Sequence, residues 1–409
     1  MQNSRPEFGL LSGIRVVFCG ISVAAPFAAE LYAEQGADVI WIENPNVVDS
    51  GRVSRKGGSW QQDRRNMRSL SMNYRKGEGR EAFLKLIATA DVFIEASVGG
   101  SFEKAGLGDE LLWQHNPGLV IVHISGFGQT GLPEYVGRAS FDPIAQAFGC
   151  TMRMNGIKGQ PSVPAMPFPG DFTAAFYAFG MSLAALLKRR ETGRGESIDL
   201  AQFELLLRLQ ANYPTDYLRY GLDYTKEGTH SLICAGYGTY SCMDGEEVYI
   251  LFLGAGSVER GLKLLGLDYG SELFPEGASL VPIESAGAKV LEDALHAYFA
   301  THTAAEAEEA FNAVRVPCSR LMDYEQAKNN PQYIAREVFT TWKAADGKTD
   351  IPGVNVMPRL KNHPGQIWRG APNVGMDNEA VLTELGYGES EIKKMYDDGL
   401  LSAMPYFEP

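Results

Sequence analysis

At 409 residues the chain has room for two or three domains of about 100–200 residues each. Hydrophobic residues make up 45%, enough for packed cores, and a formal net charge of −13 argues against nucleic acid as a partner, because phosphate backbones are met by basic faces. A phosphorylated small molecule needs only a few local cations and stays open.

Five cysteines (Cys19, Cys150, Cys234, Cys242 and Cys318) form no CxxC pair and are odd in number, as expected of reduced thiols. The polar start, Met1 to Pro6, lacks the apolar stretch of a signal peptide, and no apolar run reaches the ~18 residues of a membrane span. A soluble, cytoplasmic protein is expected.

The first 130 or so residues alternate in the βα manner. Gly13–Gly20 is a short apolar run between glycines and reads as a buried strand. Pro26 suits the first turn of a helix running to about Gln35. Strands follow at Asp38–Glu43, Asp91–Glu95 and Leu119–Ile124, with an amphipathic helix over Gly79–Ala90. Apolar strands separated by helices predict a parallel, doubly wound α/β sheet. From Asp171 to about Arg190 the pattern is a helix apolar nearly all round, which predicts burial, ending at Lys188-Arg189-Arg190 before Gly193. Asp199–Leu209 reads as another helix. Near Tyr220 the character changes: Tyr240–Ile250 reads as a hairpin around Asp244-Gly245, and helices follow near 284–300 and 304–314. This predicts a smaller α/β domain over about 225–325. A loop-rich tail with Pro352, Pro358, Pro364 and Pro372 then leads to a helix over Asn378–Leu385.

Two motifs bear on chemistry. Gly126-Phe127-Gly128-Gln129-Thr130-Gly131 fits G-x-G-x-x-G after a strand, but Pro133 interrupts the helix that a dinucleotide site needs there. A backbone loop passing close to something is the better reading. Asp171, ahead of the long helix, has the position of an N-cap. It is also placed to be an ionised nucleophile towards a thioester, since a helix N-terminus favours the anion. None of the six histidines shows metal-ligand spacing, so no metal is expected, and no G-x-S-x-G or Cys/His motif supports a hydrolase.

Together these stretches resemble class III CoA-transferases. Leu11–Val17, Ala25-Pro26-Phe27-Ala28 and Leu31–Glu43 resemble the family's opening, Ser125–Gly131 its glycine loop, Asp171-Phe172 its catalytic Asp-aromatic step, and Glu191–Asp199 its basic turn and following strand. Further stretches, among them Phe93–Ser97, Leu112–Pro117, Asn330–Glu337 and Pro364–Gly370, are similar to the members that activate carnitine, crotonobetaine and γ-butyrobetaine. The resemblance implies a Rossmann-like large domain (1–224 and 326–409), a smaller α/β domain (225–325) and an interlocked homodimer. It implies Asp171 as the catalytic nucleophile and acyl-CoA as a substrate, with no permanently bound cofactor. The CoA contacts it implies are Arg75, Ser97, Val98, Lys104 and Arg138; Gly126, Gly128, Gly254 and Gly256 would lie near the thioester. Val98 stands where carnitine-type members carry a lysine that reaches CoA, and Val23 where formyl-CoA transferases carry a glutamine. Two other functions remain on this reading. An α-methylacyl-CoA racemase would need a histidine in Arg138–Asp142, where none occurs. An inactive acyl-CoA-binding homologue would not need Asp171.

Overall fold

The structure, a computed structural model, describes residues 5–53 and 58–404; the first residues of the polar start, Met1–Ser4, lie outside them. The chain divides into two compact units. The first takes the chain up to Met152, Pro164–Leu222 and the chain from Arg336 on; the second takes Arg153–Val163 and Asp223–Ala335. The piece Arg153–Val163 is tied into the second unit by ion pairs from Arg153 to Asp223 and Lys158 to Glu227, both 2.8 Å. Such a return of the chain leaves no mark in local sequence.

The first unit is built on a parallel sheet of β1 (Arg15–Cys19), β2 (Asp38–Glu43), β3 (Arg68–Ser71), β4 (Val92–Glu95), β5 (Val120–Ser125) and β6 (Ser197–Ala201). Their spatial order is β3-β2-β1-β4-β5-β6. The central strands are largely apolar because both faces are covered, with polar residues such as Arg15, Asp38 and Glu95 at their ends. Val16 and Phe18 point into one core with the helix Ala24–Ala33 and with Ala174, Ala175 and Ala178 of the helix Pro169–Thr192. Val17 and Cys19 point the other way, into a core with Phe83, Leu86, Leu382 and Met395. Fully burying one such large apolar side chain is worth about 1.5–3 kcal/mol.

The structure departs from the sequence expectations in three places. Asp199–Ala201 is strand, and the helix starts only at Gln202. The proline-rich tail contains a hairpin, Phe339–Lys343 with Asp350–Val354; Pro352 fits because the sheet has only two strands. The helix Pro169–Thr192 is not buried all round: Phe176, Met181 and Leu187 are 57%, 49% and 63% exposed. Ala174, Ala175, Ala178, Ser182 and Leu186 are its buried side, and Phe176, Met181 and Leu187 face outward. By length and composition this helix meets the criteria of a membrane span.

The second unit holds an antiparallel sheet of Tyr237–Ser241, Glu247–Leu251 and Cys318–Arg320. Against it pack the helices Ala255–Leu264, Ala286–Phe299 and Ala304–Ala313, around Ile250, Phe252, Leu295, Phe299 and Phe311.

Candidate active site

All strands of the main sheet are parallel, so their carboxyl ends share one edge. The strand order reverses between β1 and β4, and ligands of open α/β sheets bind at that switch. A cleft of about 350 Å³ lies there, lined by Cys19, Gly20, Trp41, Tyr74, Arg75 and Ser97, among others. Its carboxylates are already matched: Glu43 pairs with Arg52 at 2.7 Å and Asp49 with Arg64 at 3.0 Å. Arg75 lies over the Tyr74 ring at 5.6 Å and makes no ion pair among the described residues. A larger cavity, about 1700 Å³, opens at the amino ends of the strands around Arg15, Asp38 and Arg68. Ion pairs among these groups and Glu384 cross it, and it lies on the wrong edge for ligand chemistry in this architecture.

From the switch, the edge runs on through the glycine loop. The backbone N–H of Gly100 donates to Gln129 Oε1 at 2.9 Å, joining the turn after β4 to the loop after β5. Gly128 has φ +90°, a conformation that suits glycine, and its N–H donates to Ser125 Oγ at 2.8 Å. The Asp199 carboxylate of β6 accepts from the N–H of Gln129 at 2.9 Å. Phe127 packs with Phe148 and Phe203, the residue after Gln202.

Asp171 sits at the third position of its helix, not at the cap, which corrects the sequence expectation. The capping group is Asp142: its Oδ1 accepts from the N–H of Gly170 at 2.6 Å and of Asp171 at 3.2 Å. Pro169 opens the helix without an N–H to satisfy. A side chain on Gly170 would meet Asp142 Oδ1 at 2.8 Å and Leu206 at 3.0 Å and would push against the capping carboxylate. The Asp171 carboxylate is thereby released from backbone duty. It accepts from Gln202 Nε2 at 2.5 Å, Gln202 standing at the end of β6. Burial is the main cause that pushes the Asp171 pKa up, to about 6; the Gln202 hydrogen bond opposes it and the Asp142 charge adds to it. The helix terminus does not hold the pKa down, as the sequence reading had it, but at neutral pH the group is still mainly anionic. Phe172 packs edge-on against Phe27 at 4.8 Å, one turn beyond Val23.

The residues singled out from sequence are distributed as follows. Arg75 and Ser97 line the switch cleft. The Ser97 hydroxyl is bonded to Glu95. Val98 and Lys104 follow on the adjoining turn and the short helix Ser101–Lys104, both exposed. Arg138 lies over the Phe127 ring at 5.2 Å, beside the glycine loop. Gly254 and Gly256 belong to the second unit, at the start of the helix Ala255–Leu264. His123 is structural: its ring nitrogens meet Glu95 at 2.7 Å and Asp109 at 2.9 Å, and these bonds raise its pKa to about 9 against the opposing effect of burial. Among the described residues, His230, Glu292 and His296 of the second unit bring ligand atoms close together. Sequence reasoning missed Asp142 and Gln202. An Asp before Pro143 is a helix-start signal for the first; nothing local marks the second.

The model of CoA-transferase family III matches residues 11–378. Among solved structures, the chain is similar to a CaiB/BaiF family protein from Brucella suis, at 26% identity and TM-score 0.78, over 93% of this chain and 100% of that one. It is also similar in fold to Rv3272 from Mycobacterium tuberculosis, at 21% identity and TM-score 0.78, over 91% of this chain and 98% of that one.

Proposed function

The chain belongs to CoA-transferase family III, and from that premise we propose that it moves CoA between carboxylic acids through Asp171, with a carnitine-type acid as acceptor. One observation carries the reading: at the ligand-binding edge of the sheet stands a carboxylate that caps nothing, because Asp142 does the capping in its place.

The steps are these. The Asp171 carboxylate attacks the thioester carbonyl of the donor acyl-CoA, giving an acyl-aspartyl anhydride and CoA thiolate. The thiolate attacks the aspartyl carbonyl, releasing the first acid and forming an aspartyl-CoA thioester. The acceptor carboxylate attacks that thioester, giving a second anhydride and freeing the thiolate again. The thiolate attacks the acceptor acyl carbonyl, and Asp171 returns as carboxylate. One thioester replaces another, so the balance closes without ATP. Gln202 orients the nucleophile; developing oxyanions need backbone N–H donors other than those of Gly128 and Gln129, which Ser125 and Asp199 already take. Arg75 and Lys104 are the cations for the CoA phosphates, with Ser97, Val98 and Arg138 along the same path.

The acceptor assignment rests on the resemblance and on the surroundings of Asp171. A quaternary ammonium offers no ordinary hydrogen-bond donor and is held by aromatic faces, at about 0.5–2 kcal/mol each. Phe168 and Phe172 stand at the start of the helix that carries Asp171, and the exposed Phe141 precedes its capping Asp142. A homodimer is part of the same reading: Phe176, Met181 and Leu187 of Pro169–Thr192, and Tyr217, Leu218 and Tyr220, are exposed apolar residues of the kind a second copy would cover. A panel of acyl-CoA donors against betaine and dicarboxylate acceptors tests the substrate. If succinate, oxalate or aryl acids outcompete carnitine, crotonobetaine and γ-butyrobetaine, the acceptor is wrong and the transferase reading stands. Solvent deuterium entering the acyl α-carbon would instead indicate racemase chemistry, for which the segment Arg138–Asp142 lacks the histidine needed.

A further inference from the structure

The second unit brings one ligand atom each of His230, Glu292 and His296 within 4.8 Å of the others. Glu292 and His296 are an i, i+4 pair on the helix Ala286–Phe299, so their side chains share a face. His230 precedes the strand Tyr237–Ser241 and is held to it by a bridge to Gly238. Tyr240 lies between them: its ring meets His230 and His296 edge-on, each at 5.2 Å, and its hydroxyl donates to Glu292 Oε2 at 2.7 Å.

The arrangement differs from an ordinary ion pair. His230 Nε2 and Glu292 Oε2 are 3.9 Å apart, beyond hydrogen-bond reach. Thr229 Oγ1 lies 2.9 Å from His230 Nδ1, where it can accept that nitrogen's proton and leave Nε2 a lone pair turned to the carboxylate. In that tautomer two acceptors face one another across the gap, an arrangement that a cation between them would satisfy. The remaining contacts of Glu292, the Gly236 N–H at 2.8 Å and the Tyr240 hydroxyl, orient its carboxylate as outer-shell partners do around a metal.

We propose that His230, Glu292 and His296 bind a divalent transition-metal ion of the zinc type, with water in the fourth position. Two imidazoles and a carboxylate are ligands that zinc takes at about 2.0–2.2 Å, which sets ligand atoms about 3.4 Å apart around a tetrahedral ion. Side-chain rotation closes the present spacing, and the exposure of His296 keeps the fourth position open to water. The ion fastens the chain at His230 to the helix Ala286–Phe299 and so stabilises the second unit. The three residues lie in the second unit and take no part in the CoA steps proposed above.

Calorimetric titration of the chelator-treated chain with zinc chloride tests this. One ion per chain should bind with a Kd of about 1 µM or tighter, and His230→Ala and His296→Ala should each weaken binding at least about tenfold. Tyr240→Phe should weaken it less, by about tenfold at most. Zinc should raise the unfolding temperature of the parent and not of His296→Ala. Circular dichroism of the metal-free variants checks their folding, and His296 is exposed, so its replacement leaves the core intact. Cobalt(II) in place of zinc should give a visible spectrum without thiolate charge transfer. Binding that is unchanged in both histidine variants, or no binding tighter than about 100 µM, overturns the proposal.

Discussion

The Asp142 carboxylate accepts from the backbone N–H of Asp171 at 3.2 Å, so one aspartate does the capping and leaves the other's carboxylate free. Each can therefore be removed with a different result. Asp171→Asn should abolish CoA transfer and change stability by less than about 1 kcal/mol, because the cap is intact. Asp142→Ala should cost about 1–2 kcal/mol through two lost backbone partners. Urea unfolding alongside a labelled-CoA exchange assay separates the two.

The pH dependence of transfer should show an acidic limb near pH 6. The Asp171 pKa is raised to about 6, so the nucleophile is protonated below that value and ionises as pH rises through it. Activity climbs in the same direction. Gln202 donates to the anionic form; Gln202→Leu should shift the limb to higher pH and lower the plateau. A pH–rate profile of the two proteins measures both effects.

His123 gives a pH effect of the opposite kind. Its folded pKa is raised to about 9 by Asp109 and Glu95. The stability it contributes is fully present below an unfolded value near 6.5 and is lost as pH rises through about 9. The unfolding midpoint should fall between pH 6.5 and 9.5, and His123→Gln should flatten that fall. An unchanged slope in the variant would assign the loss to other groups.

Arg75 and Lys104 are proposed as the cations for the CoA phosphates. Charge-assisted bonds to phosphate are worth about 1.5–3 kcal/mol, so Arg75→Ala and Lys104→Ala should each weaken CoA binding about tenfold or more. Binding of the free acid should not change. Unaltered CoA affinity in both variants would move the phosphate site elsewhere on the sheet edge.

Much of the large unit was legible in the sequence, because buried parallel strands are continuous apolar runs: Asp38–Glu43 is strand from end to end, and Val120–Ser125 lies one residue from its expected place. Arg68–Ser71 escaped because four residues beginning with an arginine carry no strand signal, and only pairing with β2 makes them one. The Asp171 site was half legible. A helix start with an aspartate is a local pattern, whereas the division of labour with Asp142, and the hydrogen bond from Gln202, join residues far apart in the chain. The direction of the Asp171 pKa shift was misread for the same reason: burial outweighs the helix terminus, and burial is a tertiary property. His230, Glu292 and His296 likewise meet only when the strand and helix pack.

The most direct test of the central claim is to mix the protein with an acyl-CoA, quench in acid, digest and map covalent CoA by mass spectrometry. The account predicts a CoA adduct on the peptide containing Asp171, absent from Asp171→Asn. An adduct on another residue, or CoA transfer that persists at the parent rate in Asp171→Asn, would contradict it.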